Sequence, residues 1–145
     1  MWTCPICNHK FYNRNQSHSC VQVTVDDFLK NKPDAMITLF RQFIAKYEEI
    51  GEFQMHPVKT RIALLKLMRF ASINRITKDH LDIHLVLTCH YDDPIFYRVE
   101  NLEGRFYVHH FRLFSIGQCT PELEFYMRKA YDTGERKHVK KRSDR

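Results

Sequence analysis

Hydrophobic residues recur along this chain at two different periods, and the change between them divides it. From residue 24 to about 50 they return every three or four positions: Phe28 and Leu29, then Ala35, Leu39, Phe40, Phe43, Ile44 and Tyr47. That spacing puts them on one stripe of a helix. Thr24 is a suitable cap for a short first helix, with Asp27 three residues on and Pro33 and Asp34 closing it. A longer amphipathic helix then runs to about Ile50, and Gly51 supplies its stop. Beyond Pro57 the period shortens. Leu81, Ile83, Leu85 and Leu87 alternate with Asp82, His84, Val86 and Thr88, which predicts a strand with one buried face. The stretch from about Arg61 to Ile73 fits a helix or a strand, and the turn-like break at Thr77 to His80 favours a strand. Ile95–Glu100 and Phe106–Leu113 read as two more, joined by a turn containing Asn101, Glu103 and Gly104. Thr120, Pro121 and Glu122 then open a last helix with inner face Leu123, Tyr126, Met127, Ala130 and Tyr131, ended by Gly134.

These elements predict an α+β domain: an antiparallel four-stranded sheet, arranged as a meander and packed with about three helices. Its 145 residues suit one core. The predicted organisation is residues 1–23 as a zinc knuckle, 24–134 as the α+β domain and 135–145 as a basic C-terminal tail.

The knuckle is read from Cys4, Cys7, His18 and Cys20. Two residues between Cys4 and Cys7, the first of them Pro5, bring two thiolates onto one metal through a tight turn. Asn8 tolerates the left-handed conformation that often follows such a pair. His18 and Cys20 complete a tetrahedral donor set suited to zinc. They are separated by Ser19 alone, closer than usual, and His9 is a competing imidazole. Four protein ligands leave no open position, so the expected cofactor is one structural zinc. A redox motif of the Cys-x-x-Cys type would open a helix after a strand, and that context is absent here. Cys89 ends an apolar strand and reads as a small buried hydrophobe; Cys119 has no evident role.

Charge changes the picture only once it is located. The formal net charge is +6, of which residues 1–24 carry +2 and residues 135–145 carry +4, leaving the body neutral. Lys140, Lys141 and Arg142 lie in that tail. Within the neutral body, Phe53 to Lys78 contains Lys59, Arg61, Lys66, Arg69, Arg75 and Lys78 and no acid. Alternation puts Arg61 and Arg69 on one face, and Arg98 and Arg112 extend a positive surface on later strands. With Tyr97 and Tyr107 nearby, such a surface suits phosphate contact and base stacking. The competing reading pairs these charges with Asp82, Glu100 and Glu103 across strands.

CPIC with NQSHSC at the start, then KTRIALLKLMRFA, HLDIHLVLTC, FYRVE, VHHFRL and PELEFYMRKAY together resemble a bacterial family known as domain of unknown function 5655. The resemblance implies a small α+β domain with an antiparallel sheet, often preceded by the cysteine pair, and brings no assigned activity. Asn8 replaces the glycine common after CPxC, and Lys66 interrupts an otherwise apolar strand.

No phosphate-binding glycine loop is available from Gly51, Gly104, Gly117 and Gly134, each isolated. Glu135 and Lys137 match a nuclease-like E-x-K only by chance. The catalytic candidates are His109, His110 and Glu100, with His84 nearby; His109 and His110 are strand neighbours and face opposite sides. Apolar runs are too short to span a membrane and no secretory signal is visible, so a cytoplasmic protein is expected. The leading functional expectation is a zinc-containing binding module for nucleic acid or a nucleic-acid-associated protein partner. A His/Glu enzyme on the sheet and a purely structural interaction domain are the alternatives.

Overall fold

The computed structural model describes residues 2–3, 10–11, 24–58 and 60–136. Two short strands, β1 (Trp2–Thr3) and β2 (Lys10–Phe11), pair antiparallel. Helix α1 (Val25–Leu29) starts at a capping box in which the Thr24 hydroxyl accepts from the Asp27 amide and the Asp27 carboxylate accepts from the Thr24 amide. Helix α2 (Asp34–Ile50) buries Met36, Leu39, Phe40, Phe43, Ile44 and Tyr47, the stripe its periodicity predicts, while Ala35 faces solvent.

The sheet that follows has six strands, not four: β3 (Gln54–Val58), β4 (Arg61–Leu65), β5 (Arg69–Ile76), β6 (Leu81–Leu87), β7 (Arg98–Leu102) and β8 (Phe106–Leu113). All neighbours are antiparallel, in the order β3-β4-β5-β6-β8-β7. The expected Arg61 to Ile73 strand is a hairpin, broken at residues 66–68. That turn has no Gly or Pro. It is held from outside, because the Gly134 carbonyl accepts from the amides of Leu67 and Met68 at 2.9 and 3.1 Å. The extra strand β3 contains Pro57, which lacks a ladder donor and is tolerated because β3 is an edge. The expected meander holds only through β6; β8 pairs β6 and leaves β7 outside as the other edge.

Helix α3 (Pro121–Gly134) begins as predicted, with the Thr120 hydroxyl accepting from the Leu123 amide and Pro121 in the first turn. All five residues of its predicted inner face are buried. The core joins all three helices to one side of the sheet, where Ile62, Leu64, Ile73, Leu81, Ile83, Leu85, Phe111 and Leu113 point. Gly134 is the last residue of α3, and a Cβ there would overlap the Phe70 ring, so its smallness lets the helix end reach the sheet. Among the described residues no helix is long and apolar enough to cross a membrane.

Candidate binding face

Alternation along each strand sends the residues between the core positions to the sheet face opposite the helices, and register aligns them. His56 pairs with Ala63, Ala63 with Ser72, Ser72 with His84, His84 with His110, and His110 with Arg98. One row of side chains therefore crosses every strand. Its polar members are tied into local bonds rather than left to solvent.

At one end, Arg69 Nη2 donates to His56 Nδ1 at 2.8 Å. A guanidinium only donates, so this nitrogen of His56 carries no proton. Burial, and then the charge of Arg61, lowers the Arg69 guanidinium from its ordinary value. In the middle, the Ser72 hydroxyl donates to Asn74 Oδ1 and Asn74 Nδ2 donates to His84 Nδ1, each at 2.9 Å. Burial first, then His110 and Arg61, bring the His84 imidazole down to about 4, so it is neutral at pH 7. Beyond it, His110 Nε2 lies 2.6 Å from Glu100 Oε1, and Arg98 reaches the other oxygen of that carboxylate at 3.4 Å. The His110 hydrogen bond holds the Glu100 carboxyl below its ordinary value. Arg112 stacks 4.2 Å from the Tyr97 ring centroid, and the Tyr97 hydroxyl donates to Asp82 at 2.7 Å. With Arg75 opposite Asp82, the face carries Arg61, Arg69, Arg75, Arg98 and Arg112 against Asp82 and Glu100.

A family model described as "Domain of unknown function (DUF5655)" matches residues 25–134. The chain belongs to that family. No curated protein and no solved structure matches it. The DUF5655 span begins on the first residue of α1 and ends on the last of α3, so the polar face lies wholly within it.

Within the DUF5655 domain the expected cationic surface comes together in part. Arg61, Arg69, Arg98 and Arg112 share the face. Lys66 does not: it lies in the β4–β5 turn, its ammonium 6.0 Å from the Tyr131 ring centroid. Tyr107 points to the helix side, opposite Leu87, and leaves Tyr97 as the exposed ring of the surface. The ion pair formed on this face lies within one strand, Arg98 with Glu100 on β7, while Asp82 accepts from the Tyr97 hydroxyl. Glu103 sits in the β7–β8 turn.

The two adjacent histidines separate as strand alternation requires. His110 meets Glu100, whereas His109 is fully buried with both ring nitrogens committed to backbone: Nε2 accepts from the Tyr91 amide at 3.0 Å and Nδ1 donates to the Tyr107 carbonyl at 2.9 Å. Its ring packs on the helix side of the sheet and its two nitrogens are engaged in those backbone bonds. Cys89 is exposed, contrary to its expected burial, because β6 ends at Leu87 before reaching it; Cys119 is buried. Cys4, Cys7, His18 and Cys20, the competing His9, and Lys59, Lys140, Lys141 and Arg142 lie outside the described residues. Among the described residues no group of three or more His, Cys, Asp or Glu is placed to hold a metal ion. His56, Ser72 and Asn74 escaped the sequence reading. No strand is expected at His56, and Ser72 and Asn74 flank the expected end of a strand at Ile73.

Proposed function

We propose that the polar face of the sheet binds phosphate groups of nucleic acid. The observation that carries this is the Arg61–Arg69 pair: the two guanidiniums repel, Arg69 is partly buried, and among the described residues neither makes an ion pair with a carboxylate. A phosphate offsets that repulsion and accepts paired guanidinium hydrogen bonds. Tyr97, already beside Arg112, offers an exposed ring for a base. Fluorescence anisotropy with generic single-stranded DNA and RNA tests this. Affinity should fall steeply with salt, and Arg61→Glu with Arg69→Met should weaken it at least about tenfold. Absent or salt-independent binding up to tens of micromolar sinks the reading.

Sequence spacing supports one structural zinc held by Cys4, Cys7, His18 and Cys20. Metal analysis should find one zinc per chain, lost in Cys7→Ser; metal-free wild-type protein refutes it.

The 2.6 Å contact between His110 and Glu100, beside a neutral His84, supports a second reading in which this face performs acid–base chemistry on the bound phosphodiester. Turnover of a generic phosphodiester, lost in His110→Ala with binding retained, distinguishes it. Binding without turnover leaves only the first.

A further inference from the structure

On the helix side of the sheet, away from the arginines, the first turn of α3 meets the loop between β6 and β7. A cavity of about 310 Å³ opens there, lined by Asp93, Pro121, Glu122, Phe125 and Tyr126. Its two charged walls are both carboxylates and the rest are two aromatic rings and a proline ring. Phe125 is 46% exposed, an unusual position for a ring that close to the core.

Tyr91 stands behind it, and the three rings meet nearly edge to face: Tyr91–Phe125 at 6.2 Å and 84°, Tyr91–Tyr126 at 5.0 Å and 67°, Phe125–Tyr126 at 5.4 Å and 73°. In such an arrangement the edge of one ring covers the face of the next, which fixes all three, and the exposed Phe125 ring is the one a cation can reach from the cavity. Lys129, one helical turn on, already places its ammonium 5.5 Å from the Phe125 centroid. Asp93 is fixed at the rim: one oxygen accepts from the Ile95 amide at 2.9 Å and the other from the Tyr126 hydroxyl at 2.7 Å. These bonds hold its carboxyl below the ordinary value, so it is ionised at neutral pH while each oxygen keeps acceptor capacity.

The walls are set before any ligand arrives. His109 pins the Tyr91 backbone, and the Phe96 ring packs 4.7 Å from His109 and 4.9 Å from Tyr126, closing the loop onto α3. Ordered walls lower the cost of binding. The positive end of the α3 dipole opposes a cation with about half a charge, and Lys129 at the Phe125 ring opposes it further; the Glu122 and Asp93 carboxylates supply the attraction that offsets them.

We propose that this cavity binds an alkylated ammonium group. A bare ammonium is strongly hydrated and gains little from aromatic walls. Methylation spreads the charge over apolar groups that rings and a proline can cover, while the carboxylates supply the electrostatic attraction.

The test titrates tetramethylammonium, choline and a trimethyl-lysine peptide into the full chain and follows backbone amide NMR signals. Saturable changes should appear at Asp93, Glu122 and Phe125. Phe125→Leu and Glu122→Gln, both at exposed positions, should weaken binding by about tenfold each with the fold retained. Ammonium chloride and 3,3-dimethylbutanol, the uncharged counterpart of choline, should not bind. A peptide that binds tighter than tetramethylammonium identifies a modified protein tail as the source; equal affinity identifies a free small cation. No saturable binding, or equal binding of the uncharged counterpart, overturns the proposal.

Discussion

The guanidinium of Arg69 reaches His56 on a strand that is not its neighbour: with β4 between β3 and β5, the side chain must cross β4 to bring Nη2 within 2.8 Å of Nδ1. Ala63 is the direct partner of His56 on the strand being crossed, and it is 2% exposed. Its small side chain is what leaves a path for Arg69. Ala63→Leu is therefore expected to displace the guanidinium and to destabilise the fold by about 1–3 kcal/mol through overpacking. Urea unfolding reads the stability, and anisotropy with single-stranded nucleic acid reads the loss of the cation.

His84 makes stability depend on acid. The unfolded chain takes up its proton near the ordinary 6.5, whereas the folded chain resists until about 4, because burial, His110 and Arg61 together outweigh Glu100 and Asp82. The stabilisation is complete above 6.5 and is lost as pH falls from there to about 4, amounting to roughly 3 kcal/mol. In His84→Gln the slope of stability against pH across that window should flatten. An unchanged slope would show that His84 is not the group responsible.

His109 bonds two backbone groups, the Tyr91 amide and the Tyr107 carbonyl, on the helix side of the sheet. His109→Phe keeps the volume but removes the acceptor of the Tyr91 amide and a donor to the Tyr107 carbonyl, at about 1–3 kcal/mol. Hydrogen exchange should quicken through residues 89–96, and tetramethylammonium affinity should fall. Nucleic-acid affinity, on the other face, should persist.

The β7–β8 turn is less than ideal. Glu103 and Gly104 have φ of 57° and 70°, and a left-handed glutamate is strained where asparagine is at ease. Glu103→Asn should stabilise by about 0.5–1 kcal/mol, seen as a raised thermal midpoint.

Local signals carried the helices: the Thr24–Asp27 box, the Thr120-Pro121-Glu122 start and the stripe of α2 are each decided within a few residues. β6 was legible because its alternation is unbroken. The β4–β5 turn was not, because the atom that stabilises it belongs to Gly134 at the far end of the domain. Pro57 hid β3, since whether proline is tolerated depends on which strand becomes an edge. Arg61 and Arg69 do share a face, yet for a different reason from the one alternation implied: they stand on two strands of a hairpin, and a bulge between Leu64 and Leu65 shifts the register before Arg69. The same alternation argument separated His109 from His110 correctly, but only the pairing of β7 with β8 shows which of them meets Glu100.

The row from His56 to Arg98 also sets a length. Arg61 on β4 and Arg98 on β7 are separated by four inter-strand steps of about 4.8 Å, or about 19 Å across the sheet. No single phosphate touches both. On the proposed phosphate-binding reading, a mononucleotide would reach only part of the row, while a chain long enough to span it would gain further contacts as intramolecular events, so affinity is expected to rise with ligand length up to that distance.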